Sequence, residues 1–334
     1  MSYVLDMQEW AMDGLSHEEI SSALEGMLDF LDTAKIRGED VWVGRHIYTS
    51  KVYFEKTLWE LFDRDLAVGL SPELIQEFSG HFNRTKHYDD FEDSWPKGFA
   101  DMGNVSVDGA PSVDNLDVLW AFSLTNSRDA CACVGLGKER VQQVISADKA
   151  VNLHWVWGEK SRAAFWRDAL TINGDSVDQL RKLAPHAYPD LYFAEKVWRG
   201  CERLSGGYHA HSSELQRYLA TLNDFGYWVF KGAPPDIDHP VKALYGRELP
   251  SAQLIERRFT HLNLNVSPEN PNVEADAACK KSRTVDVDGE PLYCQWHGKL
   301  LLWINRIHIH GPVSQSENKV VIGVVADHLP LPGD

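Results

Sequence analysis

The sequence predicts an α+β fold: an acidic α/β N-terminal domain over about residues 1–158, then helices and a C-terminal antiparallel sheet over about 159–334. Three observations predict it. Charge splits the chain: residues 1–158 carry 27 acidic and 13 basic side chains, and residues 159–334 carry 22 and 20. Strand-like and helix-like patterns alternate in the first half, as in α/β proteins. The last 50 or so residues switch to period-two runs around Asp288-Gly289, a strong hairpin turn signal.

Ser16 followed by Glu19 reads as a capping box, and Leu24, Met27, Leu28 and Leu31 continue at helical spacing. Residues 41–48 are strand-like. Tyr53, Leu58, Leu61 and Phe62 suit a helix, and Ser71 with Pro72 starts another. Residues 94–117 read as a long loop rich in Gly, Pro, Asp and Ser. Three buried strands are expected at 118–124, 130–136 and 151–157. Gly135 and Gly137 before Lys138 are read as a turn and a helix start, since no dinucleotide or P-loop motif is present. Helices follow at 161–170 and 176–184, and a short strand at 191–193. The clearest helix spans Ser212–Phe230, with Leu215, Tyr218, Leu219, Leu222, Phe225 and Val229 on one face. Pro234, Pro235 and Pro240 break the chain, Ser251 caps a helix, and 267–271 reads as a turn-rich connector.

Composition excludes several classes. The net charge of −16 argues against a phosphate-binding surface over the whole chain. The longest apolar runs, such as Leu300–Ile304, span five residues, whereas a membrane-spanning helix needs about 20. The start, Met1 to Glu9, lacks the pattern of a secretory signal. The five cysteines have irregular spacing and no C-x-x-C, so free thiols and a cytoplasmic setting are expected. Cys131 and Cys133 are read as small buried hydrophobes on one strand face. The acidic run at residues 89–93 reads as a solvated loop, or else as a docking surface for a basic protein partner.

The tail carries the chemistry. Strands are expected at 283–287, 292–299, 306–310 and 319–325. Alternation puts Arg306, His308 and His310 on one face, with Ile307 and Ile309 on the other, and His297 shares a face with Lys299. Lys280, Lys281 and Arg283 lie just upstream as candidate nucleic-acid contacts. Residues 280–310 hold five Lys/Arg against three Asp/Glu, reversing the overall charge. Histidines that titrate near neutrality, with a fixed Lys and Arg, supply the base, acid and phosphorane-stabilising cation of metal-free RNA cleavage. A zinc site is the alternative chemistry: His308, His310 and His297, with His328 or Cys294 as a fourth ligand. The leading reading needs no metal and no cofactor. It expects Arg306 and His308 to face a cleft, so that either could be replaced without loss of the fold.

The order Trp296-His297, Lys299, Asn305 to His310, Lys319 to Gly323 and His328 to Pro330 resembles the tails of bacterial proteins from defence and mobile-element islands. It is also similar, more faintly, to the strand core of RelE-type toxins. The resemblance covers about 50 residues. It implies a ribosome-dependent mRNA endonuclease, with Lys299 and Arg306 as phosphate-holding cations and His297, His308 or His310 as the proton-transfer group. The two helices packed on the toxin sheet would come from 212–230 and 251–259. Residues 329–334 cannot continue as the toxin's catalytic C-terminal segment, and the first half has no toxin counterpart. The expectation is an intracellular bacterial effector acting on RNA or another nucleic acid, with no membrane partner. A non-enzymatic subunit of a defence assembly and a zinc hydrolase are the rivals.

Overall fold

A computed structural model describes residues 2–63, 69–90, 95–96, 99, 103–231 and 250–333. The fold is α+β, in two compact units, 1–174 and 175–334. The sequence reading divides the chain at 158. The difference is the helix Glu159–Ile172, for which Gly158 is the N-cap and not a break. Its Arg162 is 2% exposed and donates from Nε to Glu39 at 3.0 Å and to the Tyr3 hydroxyl at 3.2 Å. That buried pair and the packing of the helix on the strand Lys149–Val156 fix it within the first unit.

The first unit has a seven-stranded sheet in the order Lys86–His87, Asp40–Val43, Ser2–Leu5, Cys131–Val134, Lys149–Val156, Arg140–Ser146, Ser106–Val107. The first five are parallel neighbours, and the last two pair antiparallel. Ser2–Leu5 and Cys131–Val134 are buried throughout, as central parallel strands are. The capping box at Ser16 forms, and the helix runs from His17 to Ile36. Residues 45–48 leave the expected strand as a 3₁₀ turn.

Two expectations fail here for physical reasons. Residues 118–124 are not a strand but part of the helix Leu116–Asn126, capped by Asn115. Eight of its residues are buried, so its apolar run has no helical period to reveal it. After Gly137 comes not a helix but the strand Arg140–Ser146. Pro234, Pro235 and Pro240, most of 91–102 and three residues of the acidic run lie outside the described residues.

The second unit has a five-stranded sheet in the order Leu191–Phe193, Val320–Ala326, Arg306–His310, Trp296–Lys299, Val266–Pro268. The first pair is parallel and the other pairs are antiparallel. The expected strand at 292–299 divides at Cys294 and Gln295. Its first part pairs with Thr284–Val287 as a separate two-stranded hairpin around Asp288 and Gly289, both at positive φ. The edge strand at 266–268 replaces the expected connector. Pro268 hides it in the sequence, and an edge position tolerates that proline.

The helix Ser212–Phe230 covers one face of this sheet. Its Phe230 ring lies 6.1 Å from Trp296, and Gly226 approaches Val320. A Cβ at Gly298 would lie 2.6 Å from the Tyr218 ring and 2.8 Å from Ile307. The helix Ala252–His261 adds Phe259, 5.5 Å from Phe230. Trp296, Ile307 and Ile309 therefore face the core, and the polar residues between them face the other way.

Candidate phosphate-directed site

The sheet register assembles the site. Ser267 pairs with His297 and His297 with His308, so three side chains form one row across three strands. Lys299 pairs with Arg306 in the next row. His297, Lys299, Arg306 and His308 line a single cavity of about 680 Å³, as their alternation predicts. Arg283 lines it too, but in a buried position.

Glu269 is the residue that sequence reasoning missed. It lies just past the edge strand, two residues after Ser267, and its backbone N–H donates to the Gln295 carbonyl at 2.8 Å. Its Oε1 lies 3.0 Å from Arg283 Nε, 3.0 Å from His308 Nδ1 and 3.4 Å from His297 Nδ1. These are ion-pair distances, yet the angles are not those of hydrogen bonds, and all four atoms are buried. Nε2 of His308 is also buried without a hydrogen-bond partner. Burial pushes the Glu269 carboxyl up, but its contacts with His297 and His308 outweigh that and hold it well below the carboxylate range. Burial lowers the pKa of His308, which is 2% exposed, and the Arg283 charge adds to this against the pull of Glu269. Arg283 Nε, 3.0 Å away, is the permanent cation beside this carboxylate.

His297 is only half-buried. Its Nδ1 faces Glu269, and its Nε2 lies 3.4 Å from Ser267 Oγ. The carboxylate thus lies on the side of one ring nitrogen, and the other nitrogen is the one placed for proton transfer. Lys299 is half-buried and has no carboxylate partner among the described residues.

Arg306 borders the cavity, but its guanidinium is already engaged. Nη1 donates to the carbonyls of Leu301 at 2.7 Å and Ile304 at 2.8 Å, and Nη2 to Leu302 at 3.0 Å. It organises the loop between two strands, which corrects its expected role as a freely presented cation. His308 does line the cavity, but it is 2% exposed with Glu269 against its Nδ1, which corrects its expected role as a freely presented group.

The other candidates do not join the site. His310 does not line the cavity. Its Nδ1 lies 2.7 Å from the Gly311 carbonyl, and burial lowers its pKa. Arg283 donates to the Cys279 and Pro330 carbonyls besides meeting Glu269, so it is structural and not a surface contact for nucleic acid. Lys280 is exposed, 3.8 Å from Glu274, and Lys281 is exposed nearby on the same helix. Neither lines the cavity. The zinc set is not assembled: His310 does not line the cavity, and Cys294 lies in an apolar cluster with its thiol pushed up to about 12 by burial. Among the described residues no group of three or more His, Cys, Asp or Glu is placed to hold a metal.

The first unit holds a second polar cluster that the sequence did not suggest. Strand order reverses between Ser2–Leu5 and Cys131–Val134, and ligand crevices in open α/β sheets form at the carboxyl ends of such a switch point. Asp6 and Asp117 are buried there. Asp117 accepts from His46 Nε2 at 2.9 Å, the Tyr88 hydroxyl at 2.9 Å and the Met7 N–H at 3.0 Å. Asp6 accepts from Asn115 Nδ2 at 2.9 Å and Trp155 Nε1 at 2.8 Å. Burial still pushes its carboxyl up to about 6, and the bond to Asp117 raises the pKa of His46. Gln8, His46, Ser50 and Asn115 line a cavity of about 370 Å³. In the acidic run, Asp90 pairs with the Arg45 guanidinium and Asp89 accepts the Arg45 N–H, so both are engaged within their own unit.

Among the described residues no helix is long and apolar enough to cross a membrane. Comparison of the chain with protein-family models, curated proteins and solved structures finds no match.

Proposed function

We propose that the second unit cleaves RNA by 2′-hydroxyl attack, using only groups of the chain. The observation that supports this is the meeting of His297, Lys299, Arg306 and His308 at one cavity. The 2′-oxygen attacks the adjacent phosphorus and gives its proton to His297 Nε2, while the Glu269 carboxylate, 3.4 Å from Nδ1, stabilises the imidazolium that forms. Lys299 neutralises charge on the non-bridging oxygens as the phosphorane forms. The 5′-oxygen leaves with a proton from His328, the exposed histidine at the same cavity. The products are a 2′,3′-cyclic phosphate and a 5′-hydroxyl. A role as an effector of a bacterial defence or toxin-type system rests on the tail's resemblance alone.

The test is incubation of the purified chain with labelled RNA, and with its all-deoxy analogue, in the presence of chelator. RNA should yield cyclic-phosphate ends, lost in His297→Ala. Equal cleavage of the deoxy analogue would rule out 2′-hydroxyl attack.

A second reading is favoured by the paired buried carboxylates of the first unit: a crevice for a small polar ligand beside His46. Thermal-shift screening of small polar metabolites should give a hit that Asp117→Asn abolishes. A hit unchanged by that variant places the ligand elsewhere.

A further inference from the structure

We infer that Trp303 is a stacking platform for an unpaired nucleobase, so that the second unit selects single-stranded RNA over duplex. This rests on the RNA reading of the same cavity.

The loop between the strands Trp296–Lys299 and Arg306–His310 carries four apolar residues at its surface. Trp303 is 80% exposed and Leu302 63%, with Leu301 and Ile304 also exposed. Such a patch is a liability unless something covers it. The loop is nevertheless built firmly from beneath. Arg306 holds the carbonyls of Leu301, Leu302 and Ile304, and the Leu300 N–H donates to the Asn305 carbonyl at 3.0 Å. Asn305 is fully buried in the left-handed region at φ +58, which asparagine tolerates. Its side chain makes two 3.0 Å hydrogen bonds to the backbone of Ser205. Polar anchors thus present an apolar tip in a fixed place, so little ordering is left to do on binding.

Trp303 borders the same cavity as Lys299, Arg306 and His297. An aromatic face beside cations is the arrangement that holds single strands: bases stack on the ring and phosphates meet the charge. In a duplex the base faces are hidden, so a stacking platform discriminates by accessibility. The indole would set the base, and Lys299 the phosphate that follows it, at the reach of His297.

The experiment uses the full chain carrying His297→Ala, so that binding is read without cleavage. Fluorescence anisotropy compares an oligouridine of about ten nucleotides with an RNA duplex of similar length. The single strand should bind at least about tenfold more tightly. Trp303→Ala should weaken that binding by about 5- to 100-fold, and Trp303→Phe should keep most of it. Unchanged binding in Trp303→Ala, with RNA still cut by the unaltered chain, overturns the platform and leaves the cleavage reading standing. Equal affinity for duplex also overturns it. If the unaltered chain neither binds nor cuts RNA, both fall together. Anionic phosphatidylserine vesicles form the last arm: Trp303-dependent vesicle binding without RNA binding makes the tip a lipid contact, against this inference.

Discussion

Nδ1 of His308 lies 3.0 Å from Oε1 of Glu269, and both side chains are buried. One carboxylate therefore sits among a guanidinium and two imidazoles in the cavity wall. The pair makes stability depend on pH in one direction. The Glu269 carboxyl is depressed in the folded state, so its contribution is present above the unfolded value and is lost as pH falls through the folded one. His308 is depressed as well, so the unfolded chain takes up its proton first, from about pH 6.5 downward. The pair's part of the stability, read as melting temperature, should fall from pH 7 to pH 4, against the opposite contribution of the raised Asp6 and His46 in the first unit. His308→Gln should flatten the upper part of that fall, near pH 6.5 to 5. An unchanged profile in that variant would mean that His308 does not set it.

Glu269→Ala should cost about 3–5 kcal/mol, because it strands Arg283 in the interior without its counter-charge. Denaturant midpoints report this. A loss under about 1 kcal/mol would show that Arg283 finds water or another partner.

Lys299→Ala should leave the melting temperature nearly unchanged, since half-buried residues without partners cost about 0.5 kcal/mol or less. It should still slow RNA cleavage by about 10²-fold or more. Arg306→Ala should behave differently and lower stability, because three carbonyls lose their donor. Ile307→Ala, on the core face, should cost about 2–5 kcal/mol. Melts and cleavage rates on the three variants separate these roles.

A fragment ending at Gly174 should keep cooperative unfolding, and one ending at Gly158 should not, because Glu39 then lies buried without Arg162. Thermal denaturation followed by circular dichroism distinguishes them. Cooperative melting of the shorter fragment would return the boundary to 158.

Local signals made part of this fold legible. The Ser16 capping box, the Asp288-Gly289 turn and the stripe on Ser212–Phe230 each act within a few residues, and each forms in the structure. Strand alternation also separated His297, Lys299, Arg306 and His308 from Ile307 and Ile309. The helix Leu116–Asn126 was illegible because burial all round erases its period. Glu269 was illegible because it reaches His297 and His308 only across strand pairings, and the prolines beside it mimic a loop. His310 obeys the alternation and still misses the cavity, because alternation fixes a face and not a position along it.

Gly298 sits between His297 and Lys299, where the sheet touches the Tyr218 ring too closely to admit a methyl group. The strand bearing both polar residues is thus clamped to the long helix with no slack. A displacement of that helix by a few tenths of an ångström would move the imidazole and the ammonium together, as one rigid jaw. Their spacing is then insensitive to breathing of the helix, while their distance from anything held by the neighbouring loop is not.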